Sequence, residues 1–138
     1  MKILTHNPAH ERTPYEFYIL NKGYNSGKPL AHPCPNCFTC LASSQEEKEL
    51  YYWLCFGLWQ ARAFRPYLIG SVIPFIRLND LLQVLNHSGI KAESDPAAFK
   101  VLVDTLNLLV SREKAMKNTL TLLGEAKRAT VHHYLTRR

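Results

Sequence analysis

The sequence lacks the long apolar runs that mark membrane-spanning and secreted proteins. Its longest such stretch, residues 50–59, is about half of the ~20 residues that a membrane-spanning helix needs. The first residues contain no apolar run of the kind found in a signal peptide. We therefore expect a cytoplasmic protein that has no membrane partner.

Motifs of catalytic chemistry are also missing. The chain has no pair of carboxylates at a spacing typical of acid–base catalysis. The segment Gly23–Pro29 differs from a Walker loop, because its two glycines are one residue too close and Pro29 replaces the magnesium-binding serine or threonine. There is no internal repeat and no sustained heptad pattern. We expect a non-enzymatic protein with a single domain over residues 1–138.

Cysteines are few, but three of the four lie in one proline-rich segment. The C-x-x-C spacing in this segment allows two thiolates to bind one tetrahedral zinc ion. In a reducing compartment the thiols stay free, so the segment is either part of a zinc site or a set of packed side chains. The predicted cofactor is therefore none or one structural zinc ion. The candidate ligands are Cys34, Cys37, Cys40 and His32.

The pattern of apolar and turn-forming residues predicts an α+β fold that is mostly helical and has a small two-stranded sheet. We expect strands over residues 15–20 and 67–76, which pair with each other, after an irregular segment over residues 1–13. A long Cys/Pro-rich loop over residues 23–43 follows the first strand.

Two helices are predicted in the middle of the chain. The first is capped by Ser43 or Ser44, with an acidic residue three positions later to complete a capping box. Its segment 51–59 is apolar on almost every face, which is typical of a core helix or of an oligomer interface. The second begins at Leu78 and is expected to stop at Gly89.

A third helical region begins at Pro96 and carries most of the net charge of +6. It is either one long helix or two helices broken near Ser111 or Gly124, and we expect a frayed basic tail over residues 128–138. From residue 111 onward there are seven Lys or Arg and two Glu. Such an excess favours nucleic acid or an acidic protein as partner, and the alternative is a solvated helix face.

Arginines also flank two aromatic residues near the end of the first helix. Arg62, Arg65 and Arg77 lie close in sequence to Trp59 and Tyr67, a combination that can bind single-stranded nucleic acid. The predicted nucleic-acid contacts are Arg62, Arg65, Arg77, Arg112, Lys114, Lys117, Lys127 and Arg128.

Three segments, Asn21–Pro29, Pro33–Cys37 and Gly70–Arg77, together resemble a family of small uncharacterised bacterial proteins that are often carried on mobile genetic elements. The resemblance covers about the first two thirds of the chain. It implies no activity, cofactor or residue role, but it favours an accessory role near DNA.

The sequence thus predicts a binding protein that engages nucleic acid or an acidic partner through its basic C-terminal helix and its arginines. The alternative is a helical protein–protein adaptor, or a homodimer formed through residues 51–59, in which the cysteines only pack. An enzyme is the third interpretation.

Overall fold

The computed structural model describes residues 1–136. The protein has an α+β fold, as predicted. Residue contacts divide it into two compact units, residues 1–96 and the residues from 97 onward. The elements in chain order are β1 (Lys2–Thr5), β2 (Glu16–Leu20), β3 (Pro29–Leu30), β4 (Cys37–Leu41), α1 (Gln45–Gln60), a 3₁₀ turn (Arg65–Tyr67), α2 (Leu78–Ser94) and α3 (Pro96–Thr136).

The sheet has four strands, so the prediction of a two-stranded sheet is wrong. Its strands are all antiparallel and lie in the order β1-β4-β2-β3. Strand β1 lies in the segment predicted to be irregular, and β3 and β4 lie in the predicted Cys/Pro-rich loop. In β4, Phe38 and Cys40 alternate with polar or thiol side chains, and this short period-2 pattern is typical of a strand.

The segment 67–76 is not the second strand that its β-branched residues predict. Two isolated bridges form instead: Ile69 and Phe75 exchange backbone hydrogen bonds of 2.9 and 3.0 Å, and Phe75 also pairs with Lys22, just beyond β2. Between Ile69 and Phe75 the chain turns at Gly70, which has φ 101°, and Val72 is 88 % exposed. Because Gly70 and Pro74 interrupt the run, the segment folds back on itself, and only residues 74–76 bond to residues 21–23 beyond the end of β2.

Helices α1 and α2 cover one face of the sheet. Ser44 caps α1, since its hydroxyl accepts the Glu47 N–H at 3.1 Å, which confirms the predicted cap. The predicted stop at Gly89 is wrong, because α2 continues to Ser94. Gly89 is buried, and a Cβ added there would lie 3.6 Å from the Tyr51 hydroxyl. Gly89 therefore lies where α2 packs against Tyr51 of α1, and the space there would also accept a Cβ atom.

Helix α3 is continuous from Pro96 through Ser111 and Gly124 to Thr136. This resolves the open alternative in favour of one long helix. The predicted frayed tail is helical over residues 128–136, and residues 137–138 lie outside the described part of the chain. Among residues 1–136, none of the helices has the length and hydropathy needed to cross a membrane.

Candidate nucleic-acid interface

Helix α1 ends in a turn that places an arginine where most proteins have glycine. The N–H of Ala63 donates to the carbonyl of Leu58 at 2.9 Å. The N–H of Arg62 donates to the carbonyl of Trp59 at 3.0 Å. These two bonds form a Schellman motif, whose first residue after the helix cap adopts a left-handed conformation. Arg62 is that residue, with φ 59°.

Arg62 is strained by this conformation. Of the non-glycine residues between 1 and 136, it alone has a positive φ. A left-handed non-glycine residue costs about 1–3 kcal/mol, and such residues cluster at functional sites. Arg62 follows this tendency, because it lines a cleft together with Arg65.

The cationic cleft, as we call it, encloses about 120 Å³. The ammonium group of Lys28 lies 5.1 Å from the ring centre of Trp59, within the range of a cation–π contact. The half-buried indole of Trp59 therefore has Lys28 over its ring and shares the cleft with Arg62 and Arg65. The residues that line the cleft are Tyr24, Asn25, Ser26, Trp59, Gln60, Arg62, Phe64 and Arg65.

The loop between β2 and β3 forms one wall of the cationic cleft and is fixed to the core. The Leu20 backbone pairs with Gly27 and Lys28 through hydrogen bonds of 2.8 and 2.9 Å. Gly27 has φ 94°, and a Cβ there would overlap the buried ring of Phe64. Phe64 belongs to the other wall, which follows the end of α1. The contact between Gly27 and Phe64 therefore joins the two walls and fixes the shape of the cleft.

The geometry suits a ligand that combines a flat ring with negative charge. A cavity of ~150 Å³ holds a benzene-sized ring, and the cationic cleft is of similar size. Tyr24 is 73 % exposed at the rim and can stack on a ring. The guanidinium groups can donate paired hydrogen bonds to a phosphate. A nucleotide unit has both of these features.

The remaining predicted contacts are not among the residues that line the cationic cleft. Arg77 lines a different depression with Lys22 and is bound to Asp80, with its Nε 2.7 Å from Oδ2. The other predicted contacts lie along α3, where Lys117 is paired with Glu113 at 2.6 Å. The members of this α3 group are Arg112, Lys114, Lys117, Lys127 and Arg128.

The predicted zinc ligands are not gathered at one point. Cys37 and Cys40 are three residues apart on β4, so their side chains leave opposite faces of the sheet. Cys37 donates to the Cys34 carbonyl at 2.9 Å, whereas burial, with a contribution from Cys55, raises the pKa of Cys40. Within residues 1–136, no three His, Cys, Asp or Glu side chains are arranged to hold a metal ion. These residues do not fit the structural zinc ion that the sequence suggested.

A buried polar cluster on the face of the sheet away from α1 has no counterpart in the sequence predictions. Glu16 accepts hydrogen bonds from the Tyr18 hydroxyl and the Thr13 N–H, the latter at 3.0 Å. His10 lies 3.2 Å from the same carboxylate, and His6 lies 3.0 Å from the Thr39 hydroxyl. Among the described residues, every buried side-chain N or O atom has a partner. The cluster therefore fastens the segment between β1 and β2.

Both the carboxylate and the phenol of this cluster have shifted pKa values. Burial by itself raises the pKa of Glu16, but hydrogen bonds from Thr13, Tyr18 and His10 outweigh it and hold the pKa below its usual value. Burial, together with the bond to Glu16, raises the pKa of Tyr18 to about 12. The hydrogen-bond donors thus stabilise the ionised form of the Glu16 carboxylate.

Sequence reasoning found Trp59, Arg62 and Arg65 but missed the residues that the β2–β3 loop contributes. Tyr24 and Asn25 follow Gly23, and this local pattern predicts only an ordinary turn. Their only signal is the length of the loop in front of β4. The pairing of this loop with the end of α1 depends on tertiary contacts that no local pattern contains.

An α+β protein with a four-stranded antiparallel sheet is the class that the fold defines. Residues 3–133 match the model of a family of unknown function (DUF6943), and the chain belongs to that family. The chain has no match among curated proteins and none among solved structures.

Proposed function

We propose that this protein is a non-enzymatic binding protein that engages single-stranded nucleic acid through the cationic cleft. The observation that carries the proposal is a single cleft lined by Trp59, Arg62 and Arg65, with the ammonium group of Lys28 over the Trp59 ring. Proteins that bind single strands combine cationic side chains along the backbone with aromatic rings on which bases stack.

Single strands fit this site better than a duplex does. A cleft of about 120 Å³ takes one ring at a time, so a base has to be unstacked to enter it. Duplex bases are paired and stacked, which leaves only their phosphates for the arginines. The predicted preference is therefore for unpaired nucleotides, with affinity that falls as salt rises.

The basic side chains of α3 supply a further, less specific attraction in this proposal. The five predicted contacts on α3 extend over residues 112–128, about 24 Å of helix. Lys and Arg spread in this way neutralise phosphates without reading bases.

The cellular setting belongs to the proposal as well. We take the protein to be cytoplasmic and bacterial, with an accessory role near DNA on a mobile genetic element, as the resemblance of its three segments implies. No metal ion is needed for this role, because both the ring and the charges come from side chains.

The test is fluorescence anisotropy of a labelled single-stranded oligonucleotide of about ten nucleotides, in DNA and RNA form, with the matching duplex beside it. Arg65→Ala should weaken binding about tenfold, because a hydrogen bond to a charged group contributes roughly 1.5–3 kcal/mol. Trp59→Leu should weaken it by a similar factor through lost stacking, roughly 1–3 kcal/mol per base.

Arg62→Gly is the sharpest variant, because it removes a guanidinium and relieves a strained backbone at once. It should bind about tenfold more weakly while unfolding at an equal or higher temperature. Arg77→Gln is the matched control, since it removes the same charge at a separate depression. The proposal is wrong if Arg62→Gly and Arg65→Ala bind like the wild type, or if Arg77→Gln weakens binding as much as they do.

A second candidate function is a helical protein–protein adaptor or a homodimer that uses α1. It is favoured by a row of half-buried aromatic rings on α1, Tyr52, Trp53, Phe56 and Trp59, whose neighbouring centres lie 5.3–5.9 Å apart. An interface of this kind is apolar, so its affinity should barely change with salt. Binding that is insensitive to salt and is lost in Trp53→Ala would favour this candidate over the first.

A further inference from the structure

Helix α3 presents a stripe of apolar side chains along its described length. Its 41 residues form about 60 Å of continuous helix, and it has no buried residue. Several large apolar side chains stay more than half exposed, among them Leu109 at 59 % and Leu120 at 69 %. Exposed apolar surface on this scale marks an interaction site.

The apolar residues of the stripe follow a heptad spacing that Glu113 and Lys127 interrupt, so the pattern is not sustained in the sequence. Assigning Phe99 to heptad position a places Leu106, Leu120 and Tyr134 at the same position, and the neighbouring positions d and e are also largely apolar. Continuity of α3 through Ser111 and Gly124 brings these residues onto one side of the helix, within an arc of about 160° at 3.6 residues per turn. The stripe consists of Phe99, Leu102, Val103, Leu106, Leu109, Val110, Met116, Leu120, Leu123, Val131 and Tyr134.

We infer that α3 pairs with α3 of a second copy of this chain to form an antiparallel helical dimer. The stripe is about 10 Å wide and extends about 54 Å over residues 99–134, which gives roughly 1,100 Å² for the two helices together. That area is close to the lower end of the range of about 1,200–2,000 Å² for stable complexes. A second copy is the occupant whose surface matches this stripe in length and in pattern.

One antiparallel register brings the leucines of the two helices together. In it, Leu106 faces Leu123 of the second copy, and Leu109 faces Leu120 of the second copy. Position a of one helix then meets position d of the other, the arrangement in which knobs enter holes. The overlap includes nearly all of α3, because the crossing point lies close to residue 115, the middle of the helix.

The charges that interrupt the stripe also favour the antiparallel register. Glu113 lies at position a and Lys117 at position e, and in this register Glu113 of each copy comes beside Lys117 of the other. A parallel pair would instead place Glu113 against Glu113 and Lys127 against Lys127 of the second copy. Like charges at facing positions select against that arrangement.

The experiment is sedimentation velocity of the full-length protein from about 1 to 100 μM, with no nucleic acid present. The expected result is a reversible dimer of twice the chain mass of 15.8 kDa. The variant with Leu109→Glu and Leu120→Glu should dimerise at least 100-fold more weakly. Its matched control carries Leu108→Glu and Leu122→Glu, which are equally exposed but lie off the stripe, and it should dimerise like the wild type.

Orientation is tested by charge reversal. Glu113→Lys should weaken the antiparallel dimer about tenfold, and adding Lys117→Glu in the same chain should restore it. In a parallel dimer, Glu113→Lys would only exchange one like-charged pair for another and leave the affinity unchanged. Circular dichroism confirms that each variant keeps its helix.

A wild-type protein that stays monomeric at 100 μM overturns the inference, as does a larger oligomer or a control that dissociates as fully as the stripe variant. The inference does not depend on the proposed function, since self-association is measured without nucleic acid. Arg65→Ala should lose nucleic-acid binding and still dimerise, whereas the stripe variant should bind nucleic acid and stay monomeric. These two results would separate the proposed function from the dimer.

Discussion

The conformation of Arg62 illustrates what a sequence predicts at the scale of one residue and what it does not. Pro66 disfavours a helical conformation at the residue before it, so the sequence indicates that α1 ends before Pro66. The local pattern does not indicate that the chain leaves the helix through a left-handed arginine, because glycine is the usual residue there. The position of the guanidinium in the cationic cleft follows from that single φ angle of 59°.

Glu16 is a second residue whose role depends on contacts that are distant in the fold. In sequence it is one acidic residue in an aromatic strand, yet it is buried and accepts bonds from Thr13 and Tyr18. A buried carboxylate without these donors would be protonated or would unfold the strand. The pKa of Glu16, lowered by its hydrogen bonds, therefore links the stability of the sheet to pH.

Replacing Glu16 by glutamine should change both the stability and its pH dependence. A carboxylate with a lowered folded-state pKa stabilises the protein above its unfolded pKa, near 4.5, and this contribution is lost as the pH falls through the folded value. Glu16→Gln should therefore unfold at lower urea at pH 7, by about 1–3 kcal/mol. The difference from wild type should shrink between pH 5 and pH 3.

Urea unfolding at pH 7, 5 and 3.5 measures this effect, with Glu11→Gln as the control, because Glu11 is an exposed carboxylate in the adjacent segment. A constant difference between wild type and Glu16→Gln over this pH range would contradict the assignment of the anion to Glu16.

At the scale of elements, helices were predictable and most of the sheet was not. Ser44 caps α1 and Pro96 begins α3, because caps and prolines act on the residues next to them. Strands need a partner that lies far along the chain, so the local pattern predicts a loop where β4 forms and a strand over residues 67–76, where isolated bridges form. The spacing of the cysteines likewise suits a metal site in a loop, whereas on strand β4 it places Cys37 and Cys40 on opposite faces of the sheet.

The four thiols differ in burial, so we expect them to differ in reactivity. Cys34 is partly exposed, whereas Cys37, Cys40 and Cys55 are buried. Burial raises the pKa of each buried thiol and so disfavours the reactive thiolate. In the native full-length protein, a thiol reagent should modify one residue quickly, and Cys34→Ser should abolish that fast phase.

The slow thiols should react only as the protein unfolds, and a chelator should leave their rate unchanged. Elemental analysis of the same sample completes the measurement. About one equivalent of zinc, together with thiols that a chelator unmasks, would contradict this arrangement of the cysteines.

At the scale of the whole molecule, the charge is divided unevenly between the two compact units. Residues 1–96 contain nine basic and eight acidic residues, whereas residues 97–138 contain eight basic and three acidic ones. The cationic cleft lies in the nearly neutral unit, and α3 accounts for most of the excess. Under the proposed function the two units have different tasks, since the cleft selects unpaired bases and α3 raises affinity for any phosphate backbone.

This division predicts how the salt dependence of binding should change when α3 is neutralised. For single strands, the slope of log K against log salt is about −0.7 for each neutralised phosphate. Lys114→Gln combined with Arg128→Gln should therefore make the slope shallower by up to about 1.4 and leave the preference for single strands intact. Both residues lie off the apolar stripe, so self-association should not change.

Anisotropy titrations between about 50 and 200 mM salt measure that slope. Lys91→Gln serves as the control, because it removes an exposed charge from α2 in the other unit and should leave the slope unchanged. Trp59→Leu should show the complementary result, with the wild-type slope and a reduced preference for single strands over duplex. An α3 variant that keeps the wild-type slope would mean that its basic residues form a solvated face, and the cationic cleft alone would then account for binding.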